Sequence, residues 1–116
     1  MTITVGEVLQ LQSLLKATLL AGKSGLNREV QWVNIQEVLD CLDLLNPGEF
    51  LITTGFGLGQ DLTLQVTLIK ELAARELSCL AIQTGFYLDK VPATLIEQAD
   101  YLGFPLIELP KDASFR

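Results

Sequence analysis

The sequence contains no histidine. That absence removes Ser-His-Asp and Cys-His catalysis and the commonest protein metal ligand. Basic residues are scarce: eight Lys and Arg stand against 14 Asp and Glu, for a net charge of −6. Holding a phosphate backbone draws on Lys and Arg, so direct nucleic-acid binding by this domain is not expected. Long hydrophobic runs are missing too. No apolar stretch approaches the ~20 residues that span a bilayer, and the opening MTITVGEVLQ lacks the basic start and small-residue cleavage site of a signal peptide. A cytoplasmic protein with no membrane partner is expected. The two cysteines, Cys41 and Cys79, lie far apart in apolar settings and read as reduced, buried thiols. Their spacing alone leaves a disulfide open. No catalytic group, metal site or cofactor is expected.

What is present is apolar. Hydrophobic residues make up 49% of 116 residues and charged residues 19%, enough for the core of one domain and too short a chain for two. Thr4-Val5-Gly6-Glu7 has the spacing of a capping box, so a short helix follows with Val5, Val8 and Leu9 inward, and Leu14 and Leu15 extend the contact. Thr18 to Ala21 reads as a strand stopped by Gly22, and residues 23–28 as a turn. Val30 to Ile35 is rich in β-formers; its adjacent Trp32 and Val33 suit a strand covered on both faces. Leu39 to Leu45 has the spacing of one or two helical turns, ended by Asn46-Pro47-Gly48-Glu49.

The second half alternates. Phe50 to Thr54 reads as a buried strand, followed by the loop Gly55-Phe56-Gly57-Leu58-Gly59. Asp61 suits the N-cap of a helix whose inward stripe is Leu62, Val66, Ile69 and Ala73, widened by Leu68 and Leu72. Leu77 to Gln83 is a second buried strand, broken by Thr84-Gly85-Phe86-Tyr87. Pro92 opens another helix with Leu95, Ile96, Ala99 and Leu102 inward and Gly103 as its stop; Phe104 to Leu109 is the last strand. Strands joined by amphipathic helices of this length imply crossover connections. The expected fold is a single α/β domain with a small, mostly parallel or mixed sheet and crossover helices. It spans residues 1–110, with 111–116 as the start of a linker.

Several segments carry a resemblance. They are Ala21-Gly22 with Gly25-Leu26-Asn27-Arg28, Val30 to Val33, Glu37, Pro47-Gly48-Glu49, Leu51-Ile52-Thr53-Thr54-Gly55 and Leu58. Then come Leu80-Ala81-Ile82, Val91-Pro92, Ala99 and Gly103-Phe104-Pro105-Leu106-Ile107-Glu108-Leu109-Pro110. In order and spacing, over almost the whole chain, these resemble the N-terminal regulatory domain of the purine catabolism regulator (PucR-type) transcription factors. The resemblance implies a regulatory domain of a bacterial transcription regulator. The DNA-binding helix-turn-helix domain would lie outside this chain, and a purine-related or other nitrogen metabolite would be the small-molecule effector.

Two loops are the candidate ligand site, because ligands of parallel α/β sheets gather at the carboxyl ends of strands. The first runs from Thr53 to Gly59, with Thr53, Thr54, Gly55, Phe56 and Gly57 as its candidate contacts. Its glycines allow close approach, its hydroxyls can hydrogen-bond, and the helix start that follows favours anions. The glycine spacing is not a dinucleotide fingerprint and no Walker lysine is present. The second holds Thr84, Gly85 and Phe86; Phe56, Phe86 and Tyr87 could stack on a flat heterocycle such as a purine. Against these stands a plain strand-to-helix turn whose aromatics pack on one another. Glu37 completes the candidate set. Paired with Glu49 it would suggest acid–base chemistry, but Glu49 reads more simply as a solvent-facing turn residue and Glu37 as part of the next helix cap. The apolar excess points to a homodimer or a domain contact. The competing function is therefore a dimerisation or domain-packing module without a small-molecule ligand.

Overall fold

The computed structural model describes residues 3–11, 16–37, 39 and 42–112. Its elements run β1 (Ile3–Thr4), α1 (Val5–Val8), β2 (Thr18–Ala21), β3 (Glu29–Val30), β4 (Trp32–Ile35) and β5 (Glu49–Thr53). They continue with α2 (Leu62–Ala74), β6 (Cys79–Gln83), α3 (Ala93–Leu102) and β7 (Leu106–Leu109). Five strands form one sheet in the order β2-β7-β6-β5-β4, and β1 pairs with β3 in a small separate ribbon. Strands β4, β5, β6 and β7 are mutually parallel, while β2 runs antiparallel to β7. The sheet is therefore mixed, as expected for an α/β domain.

Alternation along the central strands explains the layers. Leu51, Leu80, Ile82 and Leu106 face Leu68, Ile69 and Leu72 of α2 and Leu95 and Ala99 of α3. Phe50, Ile52, Cys79, Ala81, Ile107 and Leu109 face the other way, onto Val5 and Val8 of α1 and Val30 of β3. A sheet clothed on both sides needs nearly continuous apolar strands, which is why the central runs show no polar alternation.

Local chemistry sets the ends. The capping box forms: the Glu7 N–H donates to Thr4 Oγ1 at 3.2 Å and the Thr4 N–H to Glu7 Oε1 at 3.1 Å. Asp61 caps α2 by accepting the Leu64 N–H at 2.9 Å. Gly103 ends α3 with φ +63°.

Four expectations need correction. The segment 30–35 is two strands, broken at Gln31, whose N–H donates to the Gly48 carbonyl. Its second part, β4, is the sheet edge and is not covered on both faces: Trp32, Val33 and Ile35 are 48%, 58% and 57% exposed. The inward stripe of α2 is Gln65, Leu68, Ile69 and Leu72. Leu62 and Val66 sit on its flank, exposed, because the buried direction lies roughly 80° around the helix from the stripe's centre at 100° per residue. Leu102, expected inward, is the last residue of α3 and is exposed. Glu49 is the first residue of β5 and is only 5% exposed, not solvent-facing, because strand pairing begins one residue earlier than the apolar run. The expected helical turns at 39–45 and the contacts of Leu14 and Leu15 lie partly or wholly outside the described residues; within them Leu42–Leu44 forms a single 3-10 turn.

Candidate functional site

The parallel strands deliver four loop starts to one end of the sheet, their carboxyl end: Glu37 beyond β4, Thr54 beyond β5, Thr84 beyond β6 and Lys111 beyond β7. The loop after β5 is built by glycine. Gly55 and Gly57 take φ +81° and +77°, a region closed to most side chains. A Cβ on Gly55 would lie 2.7 Å from Leu88 Cδ1, whereas one on Gly57 would meet open space. The chain then makes a 3-10 turn, Leu58–Gln60, before α2. Gln65 reaches back from α2 and donates to the Leu58 carbonyl at 2.9 Å.

The candidate residues come together in part. The Thr54 hydroxyl donates to the Glu37 carboxylate, tying the loops after β4 and β5. Thr53 is fully buried and its Oγ1 accepts the Gly55 N–H at 3.1 Å. The Thr84 hydroxyl donates to Glu108 Oε2 at 2.7 Å. Gly55, Phe56 and Gly57 line a cavity of about 150 Å³ together with Gly59, Gln60 and Tyr87. The Phe56 and Tyr87 rings meet edge to face with centroids 5.1 Å apart. Phe86 lies outside this lining, with the Lys111 ammonium 5.4 Å above its ring. Gly85, at φ +103°, packs against the Lys111 side chain.

Two chemical readings change with this geometry. The N–H groups of Leu58, Gln60 and Asp61 donate to carbonyls of the loop itself, and that of Leu64 to Asp61. A carboxylate and internal hydrogen bonds thus occupy donors that an anion would use. What the carboxyl end of the sheet presents is aromatic faces, hydroxyls and the Glu37 and Glu108 carboxylates, a set that accepts hydrogen bonds from an N–H-rich ligand. Glu37 and Glu49 stand at opposite ends of the parallel strands, roughly 15 Å apart along the strand direction, and cannot act on one substrate atom. Glu49 Oε2 is buried without a hydrogen-bond partner.

Gly59 already belongs to the loop that the sequence marks as a candidate, whereas Gln60, Glu108 and Lys111 are not marked there as site residues. Glu108 had a legible signal: it is the only charged residue in an otherwise apolar strand. Lys111 had none, because its place over Phe86 depends on where β7 ends. Cys79 is free and fully buried, and burial pushes its thiol pKa well above the ordinary range, against a smaller lowering by Ser78. Cys41 lies outside the described residues. Among the described residues no helix is long and apolar enough to cross a membrane, and no three His, Cys, Asp or Glu come together to hold a metal.

Comparison with known proteins bears on this architecture directly. Residues 7–116 match the model of the purine catabolism regulatory protein-like family. The purine catabolism regulatory protein of Bacillus subtilis (strain 168) is 39% identical over 105 residues, covering 90% of this chain. The chain spans 20% of that relative's length. With the match running through the glycine loop, both crossover helices and the terminal strand, the chain belongs to the purine catabolism regulatory protein-like family.

Proposed function

We propose that this chain is the regulatory domain of a transcription regulator, and that it senses a small effector at the carboxyl end of its parallel strands. The observation that carries the reading is the aromatic-walled cavity of about 150 Å³ between the loop after β5 and Tyr87, beside the Thr54–Glu37 and Thr84–Glu108 pairs. Family membership supports the regulatory part. Cavity size and chemistry support the choice of effector. The volume falls below the ~300–1,000 Å³ of drug-sized pockets, which suits a small heterocycle better than a nucleotide. Exposed Phe56 and Tyr87 offer ring faces and edges, and the carboxylates accept N–H donors. A purine-related or other nitrogen-rich metabolite has that character. DNA contact belongs to sequence beyond this acidic domain.

Sensing requires that the effector bind two conformations unequally, since equal affinity shifts nothing. The glycine loop is the element suited to that: it is pinned at one end by Thr53 and at the other by Gln65, with exposed residues between. Amide NMR of the chain titrated with purines, ureides and amino acids tests the assignment. Saturable shifts confined to residues 54–60 and 84–88 are expected. Saturable binding mapped to another face would reject this site.

A further inference from the structure

A second concavity, larger than the first, lies between the two crossover helices. A groove of about 550 Å³ between α2 and α3 is lined by Lys70, Glu97, Gln98, Tyr101 and Leu102. Its margins are apolar and uncovered. Tyr101 is 89% exposed and Leu102 is exposed beside it; Leu62 and Val66, exposed as well, stand in line with Lys70 at four-residue spacing along α2. Gln98 Oε1 is shielded from water yet has no hydrogen-bond partner, a costly state for a polar atom. Lys70 and Glu97 line opposite walls but make no ion pair with each other: among the described residues the ion pair is Lys16–Asp112.

We propose that this groove is where two copies of the chain meet. The charges select a second copy as the occupant. A net charge of −6 makes two copies repel over most of their surface, so contact favours a patch where the signs balance. A two-fold axis running along the groove lays α2 of each copy over α3 of the other. Each Lys70 ammonium then meets the partner's Glu97 carboxylate, so one pair of residues supplies two ion pairs. Tyr101 and Leu102 of the two copies meet across the axis, and Leu62 and Val66 extend the apolar contact along it. The Gln98 amide, turned outward, finds a donor in the partner's Tyr101 hydroxyl. An axis perpendicular to the helices would instead stack α2 on α2 and leave Lys70 without the partner's Glu97.

Sedimentation equilibrium of the 116-residue chain tests this. The wild type is expected to dimerise. Lys70→Glu and Glu97→Lys should each weaken the dimer by about tenfold, because the axis counts each like-charge contact twice. The double variant K70E/E97K should restore it. Both positions are exposed, so far-UV circular dichroism and monomer stability should stay unchanged. A chain that stays monomeric at millimolar concentration overturns the proposal and leaves the groove to another protein or another part of a longer chain. A dimer indifferent to both single changes and to Tyr101→Glu also overturns it, and points to another face such as the β4 edge.

Discussion

The Phe56 ring stands nearly perpendicular to that of Tyr87, at 77° with centroids 5.1 Å apart, so the loop after β5 and the loop after β6 share one aromatic wall. Edge-to-face pairs of this kind contribute about 0.5–1.5 kcal/mol beyond area burial. Tyr87→Ala should therefore lower stability by about 1 kcal/mol. It should remove effector binding altogether, because it opens the cavity on one side. Urea unfolding and a binding titration on the same sample separate the two effects.

Gly55 and Gly57 provide a matched comparison. Both have positive φ, so an Ala at either is strained by about 1 kcal/mol. Only Gly55 adds a collision, with Leu88 Cδ1 at 2.7 Å. Gly55→Ala should cost clearly more than Gly57→Ala, by about 1–2 kcal/mol. Equal losses in denaturant melts would mean that the Leu88 side chain moves aside freely.

The α2 register is tested by Leu72→Ala against Leu62→Ala. Leu72 is fully buried and its truncation should cost about 2–5 kcal/mol. Leu62 is 73% exposed, and its truncation should fall within about 0.5 kcal/mol of wild type in the monomer.

Cys79 makes stability depend on pH at the alkaline end. Its folded-state pKa is raised, so above the ordinary thiol range the unfolded chain loses a proton that the folded chain keeps. The unfolded state then binds fewer protons, and stability falls as pH rises. The fall should be fully absent below about pH 8 and weaker in Cys79→Ala, as read by urea midpoints from pH 7 to 10. The native thiol should resist alkylation until the protein unfolds.

Much of this fold was legible in the residues. The capping box at Thr4, the cap at Asp61, the stop at Gly103 and the three central strands follow from local chemistry and from apolar runs that suit a sheet covered on both sides. What was not legible depends on neighbours far along the chain. Nothing in Trp32-Val33-Asn34-Ile35 says that this strand lies at the edge; β-branched and aromatic residues read the same at edge and centre. The α2 stripe was misplaced because Leu62 and Val66 are as apolar as Leu68, and only the sheet decides which flank is buried. Gln65 faces inward because the Leu58 carbonyl needs its amide. At the site, the glycines and the Thr54 hydroxyl could be read from the sequence. The pairing of Thr84 with Glu108 needed the register of β6 against β7.

The central claim is that the carboxyl end of the parallel strands binds a small effector, and thermal unfolding of the chain against purines, ureides, nucleotides and amino acids tests it most directly. A ligand at about 100 times its dissociation constant stabilises the folded state by roughly 2.7 kcal/mol, which raises Tm by roughly 8–16 °C at about 3–6 °C per kcal/mol for a domain of this size. The account predicts a saturable rise of that order with one class of small nitrogen-rich ring compound, absent in Tyr87→Ala. A flat response to every compound by a chain shown to be folded would contradict it.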